Sequence, residues 1–245
     1  MKAIRRQSGF SLTEVLLAIG TMAIGMLFVG GVFMLGVHQT TVAMEKTIAS
    51  VAAAEAFGKI QAYGLAAMDP NDPNVGLYNH TPYTFADTNE HYYAAQDPAA
   101  SAGQGGVPES RRSQYSWTAL TRPVSGGATE ATVFVLRHQE DDFLTVKPVT
   151  YEELKVTGID GGYVLLDAPV DVPDFPDRPP VRGVLRVQRI SVEDPQDPKT
   201  PPIVFKPPLP PSLLTDTIFW MVPASGGRDP VIDVYRMVVQ AGTSL

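Results

Sequence analysis

Hydrophobic residues are distributed very unevenly along this chain. Residues 15–37 are 23 residues with no charged side chain and a single polar one, Thr21. As an α-helix this stretch would be ~35 Å long, enough to cross a hydrocarbon core of ~30 Å. Three cations precede it in residues 1–9. By the positive-inside rule, this leader stays in the cytoplasm and the rest of the chain crosses the membrane.

The helical pattern continues beyond the apolar stretch. No proline occurs before Pro70, and residues 41–68 are rich in alanine with charged residues interspersed. An apolar stripe that a sheet could cover recurs there at helical spacing. The stripe consists of Phe57, Ile60, Gly64 and Ala67. The sequence therefore predicts one helix from Phe10 to Met68, which ends at the prolines that follow Asp69.

Further along the chain the pattern changes to short apolar or alternating runs bounded by turn residues, which is typical of β-strands. The predicted strands are residues 115–120, 132–136, 144–149, 163–166, 184–192, 217–222 and 234–239. Gly126 and Gly127 separate the first two, which predicts a β-hairpin. One long helix followed by many strands predicts an α+β fold, in which an antiparallel sheet covers the exported half of the helix.

Proline and glycine mark the boundaries between these regions. All 22 prolines lie after residue 69. The segment after the helix is predicted to be irregular, with a short element around Tyr92 and Tyr93. The proline tracts 195–202 and 207–211 predict surface linkers or edge loops of extended conformation. The predicted organisation is a leader 1–9, a membrane-embedded helix half 10–41, an exported helix half 42–69, an irregular connector 70–112 and a β-rich domain 113–245.

Charge and composition narrow the function classes. The net charge is −7, and removal of the leader's three cations takes it to −10. An acidic chain without basic clusters is not typical of a nucleic-acid-binding protein. The chain has no cysteine, so disulfides indicate nothing about its compartment, and its stability must come from packing.

Two loose clusters contain potential metal ligands. The first consists of His80, Asp87, Glu90 and His91. It lacks paired or helical spacing, and the pattern favours solvated loop residues. The second is an acidic run of Asp167, Asp171, Asp174 and Asp177. It could supply oxygens to calcium, although its spacing is not that of an EF-hand and its prolines stiffen it. With no nucleophile elbow, phosphate loop or Cys/His motif, the sequence predicts neither an enzyme nor a cofactor.

The start of the chain carries a more specific signal. Gly9 and Phe10 follow the basic leader, and Glu14 lies at the edge of the apolar stretch. A carboxylate there could sit at the headgroups, favoured by the positive end of the helix dipole. That interpretation accounts for Glu14 but not for the complete string. Taken in register, these residues resemble the class III signal of type IV pilins and type II secretion pseudopilins, most of all the minor pilins and minor pseudopilins.

The resemblance covers residues 9–37 and implies roles for particular residues. Prepilin peptidase would cut after Gly9, Phe10 would become the methylated amino terminus, and Glu14 would pair with the amino terminus of a neighbouring subunit. Many family members unwind at a proline inside the membrane helix. This chain lacks that proline, so Gly30 and Gly31 could be the weak point, or they could serve close helix packing.

The expected function is therefore that of a structural subunit. The resemblance implies a single-pass precursor in the bacterial inner membrane with its C-terminal domain outside the cytoplasm. Its partners would be prepilin peptidase, an assembly platform and other pilin or pseudopilin subunits. The product would be a type IV pilus or a type II secretion-like filament, on the cell surface or in the periplasm. The alternative is a membrane-anchored exported domain that binds a ligand and uses the pilin-like start only for targeting.

Overall fold

The structure is a computed structural model. It describes residues 11–63, 78–83, 94–95, 115–137, 146–158, 160–171, 179–190, 203–210, 213–224 and 229–240. The chain divides into two compact units, Met1–Thr47 and Ile48–Leu245. Helix α1, Leu12–Tyr63, contributes residues to both units. The predicted long N-terminal helix is confirmed over this range, and its predicted continuation through Met68 lies outside the described residues.

In the described part of the chain, ten strands and a second, short helix follow α1. They are β1 Thr81–Pro82, β2 Ala94–Ala95, β3 Tyr115–Pro123, β4 Ala128–Arg137, β5 Lys147–Thr150, α2 Tyr151–Thr157, β6 Tyr163–Leu166, β7 Val184–Ile190, β8 Ile203–Lys206, β9 Ile218–Met221 and β10 Val231–Gln240. Each of the seven predicted strands is confirmed within the described residues, with ends shifted by a few residues, while β1, β2 and β8 were not predicted. Residues 144–145 and 191–192 of two predicted strands lie outside the described residues. The predicted element at Tyr92 and Tyr93 lies outside the described residues, directly before β2.

The strands form two sheets, which corrects the expectation of a single one. The first sheet has the order β1-β3-β4-β10, with β2 also beside β3. Its strand pairs are antiparallel except for the parallel pair β2–β3. The second sheet has the order β5-β9-β6-β7-β8 and is antiparallel throughout. A strand's alternation indicates which side chains share a face but not which strand lies beside it.

The predicted hairpin is confirmed between β3 and β4. Gly126 and Gly127 lie in its turn with φ of 88° and 73°. Glycine adopts this left-handed conformation without the steric cost that a side chain would add. The turn sets the register, in which Tyr115 lies opposite Arg137 and Pro123 opposite Thr129.

Strand β4 shows how the layers are built. Residues 131–136 are all buried, because both faces of the strand are covered. Val133 and Val135 belong to the core that the first sheet shares with α1. Phe134 and Leu136 point the other way and pack with side chains of the second sheet. A further core lies on the far face of the second sheet, against α2 and the segment after β8.

The second half of α1 packs on the first sheet mainly through alanine. Its buried residues in this core are Ala49, Ala52, Ala53, Ala56 and Ile60. Small side chains let the helix backbone approach the sheet closely. The predicted stripe is confirmed at Ile60, which is buried, and at Phe57, which is half-buried. Gly64 and Ala67 lie outside the described residues.

Candidate functional site

The first half of α1 is apolar and exposed to its surroundings. Leu27, Met34 and Leu12 are each 78% exposed, and most of their large apolar neighbours exceed half. The most apolar 18-residue window has a mean hydropathy of 2.3, and none of it is buried. Among the described residues, α1 is the one helix long and apolar enough to cross a membrane. Exposure of an apolar surface of this extent to water is unfavourable. The first half of α1 is therefore compatible with a single-pass membrane anchor.

Hydroxyl groups in this half are satisfied within the helix. The Thr21 hydroxyl donates to the carbonyl oxygens of Leu17 and Ala18, at 3.0 Å each. The hydroxyls of Thr40 and Thr41 donate to carbonyl oxygens one turn earlier, at 2.8 and 3.0 Å. An unsatisfied polar group in hydrocarbon costs several kcal/mol, so these internal bonds suit a water-free environment.

Glu14 takes part in a reciprocal cap at the first turn of α1. The Ser11 backbone N–H donates to the Glu14 carboxylate at 2.9 Å, and the Glu14 N–H donates to Ser11 Oγ at 3.3 Å. This is a capping box, whose S-x-x-E signature is legible in the sequence. Glu14 remains exposed, so its carboxylate is accessible to a group outside the helix. Gly9 and Phe10, the predicted cleavage and methylation positions, lie outside the described residues.

Gly30 and Gly31 lie in an uninterrupted part of α1. A Cβ atom added at either position would meet no neighbouring atom within 4 Å. The helix is therefore continuous through this pair in the single chain, and its surface there is open to another helix. Unwinding at this pair inside a filament stays a prediction.

The acidic run is divided between different environments. Asp171 is exposed, whereas Asp167 is buried and accepts hydrogen bonds from protein groups. Asp174 and Asp177 lie outside the described residues. Within the ranges that the structure describes, no three metal-ligating side chains come together. Calcium binding by the complete run stays a prediction.

His80 does not lie where the sequence pattern predicts. The pattern favours a solvated loop position, but the residue is only 4% exposed. Its Nδ1 lies 3.2 Å from Asp167 Oδ1, and its backbone N–H donates to the same oxygen at 3.0 Å. Asp167 is 87 residues away in the chain, so no local pattern could have revealed this pair.

The carboxylate of Asp167 is held in its charged form. Trp220 Nε1 donates to Oδ1 at 2.8 Å, and the Asn79 N–H donates to Oδ2 at 3.0 Å. Burial raises the pKa of Asp167, but the hydrogen bonds from His80, Trp220 and Asn79 outweigh it. The net result is a pKa below the ordinary value of 3.8. The group is thus an ionised, internally bonded anchor between distant segments.

Comparisons of the chain with protein-family models, with curated proteins and with solved structures give no match. Function is therefore inferred from the chain's own residues. The residues offer two candidate sites. One is the exposed apolar half of α1, whose first turn is capped by Glu14, and the other is the buried cluster around Asp167.

Proposed function

We propose that this chain is a structural filament subunit of the minor pilin or pseudopilin type, built into a type IV pilus or a type II secretion-like filament. The observation that supports this most is the composition of α1. The first half is apolar and exposed, and the Glu14 carboxylate caps its first turn. The second half is rich in alanine and packs on a sheet. A simple membrane anchor needs only the apolar half, and in it Glu14 would serve only as a cap of the helix.

In this proposal, assembly replaces lipid contacts with helix contacts. Lipid tails are as apolar as leucine, so helices associate in a membrane through close packing and polar pairing. The apolar half contains five glycines, which allow helices to approach one another. They are Gly20, Gly25, Gly30, Gly31 and Gly36. The open surface at these positions in the single chain is what a neighbouring helix would cover.

Glu14 supplies the polar pairing. Cleavage after Gly9 would create a positive amino terminus at Phe10, at the start of a helix in a low-dielectric setting. Opposite charges attract far more strongly there than in water. The single chain satisfies the Glu14 carboxylate with the Ser11 N–H. Entry into the filament would add or exchange a neighbour's amino terminus as its partner.

The proposal implies a defined set of partners and a location. The precursor would reside in the bacterial inner membrane, where prepilin peptidase processes it and an assembly platform extracts it. The sheet-containing unit would lie outside the cytoplasm and become part of the filament's outer layer. Other pilin or pseudopilin subunits are the binding partners, and we assign the chain no catalytic role and no cofactor.

The substitution Glu14→Gln tests the filament role. It keeps the side-chain shape and an oxygen that can accept from Ser11, but it removes the charge. Leaving the neighbour's amino terminus unpaired in a buried site costs ~3–5 kcal/mol. We expect the variant to be inserted and cleaved, to be recovered in the membrane, and to be missing from purified filaments.

Glu45→Gln is the matched control, because it makes the same change further along α1. It should enter filaments normally. Incorporation of Glu14→Gln at the wild-type level would instead favour the alternative, a membrane-anchored exported domain whose pilin-like start serves only targeting.

Processing provides a separate test. A bulky residue before the cleavage site, as in Gly9→Val, should block the peptidase and leave a precursor longer by the nine leader residues. Mass spectrometry of the purified chain measures this directly. An intact Met1 on the wild-type protein, in a cell with active prepilin peptidase, would contradict the proposed processing.

A further inference from the structure

A short segment of the connector, Tyr78–Tyr83, contacts both sheets, and we call it the strap. At one end, the Tyr78 ring meets Trp220 of the second sheet edge to face, with centroids 5.5 Å apart. At the other end, the Tyr83 ring stacks on Trp117 of the first sheet at 6.3 Å. Strap residues 80 and 83 are buried. The strap is therefore part of the packed structure and joins two layers.

The strap is fastened to the second sheet at one carboxylate. Two backbone N–H groups, of Asn79 and His80, and the His80 ring all bond to Asp167. Trp220 donates to the same carboxylate and is thereby fixed beneath Tyr78. Hydrogen bonds to an ionised acceptor are the strong ones, and here three of them hold the strap. Loss of this one side chain would remove all three together.

The other part of the strap lies along the outer edge of β3. Thr81 is opposite Thr121 and Pro82 is opposite Leu120 in an antiparallel pair. The Tyr83 N–H donates to the Ala119 carbonyl at 2.8 Å. Pro82 has no backbone N–H, so the strap cannot donate a hydrogen bond from this residue to a further strand. The strap therefore ends the sheet on this side.

The outer edge of β3 has the properties of a self-pairing strand. The strap pairs with Leu120 and Thr121 on this edge, and β2 pairs with Ser116 and Trp117. Residues 115–121 of β3 carry no charge and no proline, and they are rich in aromatic and β-branched side chains. Native proteins avoid leaving such an edge open, because it pairs with another copy of itself. Protection by charge begins only at Arg122, at the end of the strand.

We propose that the strap is an edge guard fastened by Asp167, and that the contact it prevents is pairing of β3 with β3 of a second copy. This role is separate from assembly through α1. The strap would prevent the first sheets of two subunits from pairing edge to edge, which would otherwise produce aggregates.

The test uses Asp167→Ala in the full chain in detergent micelles, with Asp171→Ala as the matched control. Asp171 belongs to the same acidic run but is exposed. Hydrogen exchange should accelerate at least about tenfold at the strap and at the edge of β3 in Asp167→Ala, because bonds to a charged acceptor are lost. Sedimentation should show concentration-dependent oligomers that the control lacks, since both variants share the same α1.

A second variant separates edge pairing from general unfolding. Adding Thr121→Lys to Asp167→Ala places a charge on the uncovered edge, which should restore the monomer while strap exchange stays fast. Oligomers that persist in the double variant would overturn the proposal, as would unchanged strap exchange in Asp167→Ala. Fast strap exchange without any gain in self-association would overturn it too, because the edge would then need no guard.

Discussion

The two halves of α1 differ in how much of their apolar surface is buried. Residues 12–44 expose leucine, phenylalanine, methionine and valine, and the most apolar window has no buried part. Residues 49–60 bury alanine and isoleucine against the first sheet. The charges differ as well, since residues 15–37 carry none. The second half contains Glu45, Lys46, Glu55 and Lys59.

Side-chain size also separates the two halves. Alanine gains little from burial by itself, but it lets a helix approach a sheet until larger sheet residues such as Trp117 and Val133 fill the space. A helix with large apolar side chains on all sides is typical of an environment of lipid or of other helices. The contrast therefore indicates what covers each half.

Truncation within α1 should have the largest effect. Removing residues 1–41 takes away most of the exposed apolar surface and keeps the helix face that covers the first sheet. We expect a soluble, folded monomer with helix and strand in its circular dichroism spectrum. Removing residues 1–69 also uncovers the first sheet and should cause aggregation. A soluble product of the longer deletion would show that the sheet needs no helical cover.

A buried and an exposed residue of α1 should differ in their effect on stability. Ile60 is fully buried, whereas Val51 is 54% exposed. Ile60→Ala should lower the free energy of unfolding by about 2–5 kcal/mol, because it leaves a cavity. Val51→Ala should change it by no more than about 0.5 kcal/mol. Urea unfolding in micelles, followed by tryptophan fluorescence, measures both, since Trp117 and Trp220 lie in the sheet-containing unit.

The importance of small side chains can be tested by enlargement. Ala56 is fully buried against the sheet, and Ala54 lies on the exposed face of α1. Ala56→Leu should destabilise the sheet-containing unit by about 1–3 kcal/mol through overpacking. Ala54→Leu should have little effect in the same unfolding assay. Equal effects would mean that close approach of this helix half to the sheet is not what stabilises it.

Acid should give the smallest effects, with opposite signs at two carboxylates of the sheet-containing unit. The pKa of Asp167 is lowered, so its contribution to stability is present above its ordinary value of 3.8 and is lost as the pH falls through the lower folded value. Burial raises the pKa of Asp229, opposed in part by the Val231 N–H and nearby arginines. Its contribution is therefore present below 3.8 and is lost as the pH rises through the raised folded value.

The measurement compares unfolding at neutral and acidic pH for two substitutions. Asp167→Asn should destabilise the unit at pH 7 and reduce the loss in acid. Asp229→Asn keeps an oxygen for the Val231 N–H, which now donates to the carboxylate at 2.9 Å, and should leave stability at pH 7 unchanged or higher. Destabilisation by Asp229→Asn at neutral pH would show that the charge itself has a favourable partner.

Several features were predictable because they depend on neighbours in sequence. The long helix follows from the absence of proline and the spacing of apolar residues, and the β3–β4 hairpin follows from Gly126 and Gly127. Helix α2 was missed although its start is legible. Thr150 and Glu153 form a capping box there, with the Glu153 N–H donating to Thr150 Oγ1 and the Thr150 N–H donating to the Glu153 carboxylate.

The apolar helix, seven of the ten described strands and the carboxylate at the first turn could be predicted, because each depends on periodicity or on residues a few positions apart. The division of the strands into two sheets and the meeting of His80 and Trp220 at Asp167 could not be predicted. Those outcomes depend on which of many similar apolar faces pack together. That choice is made by side-chain shape and by the need to satisfy buried polar groups across tens of residues.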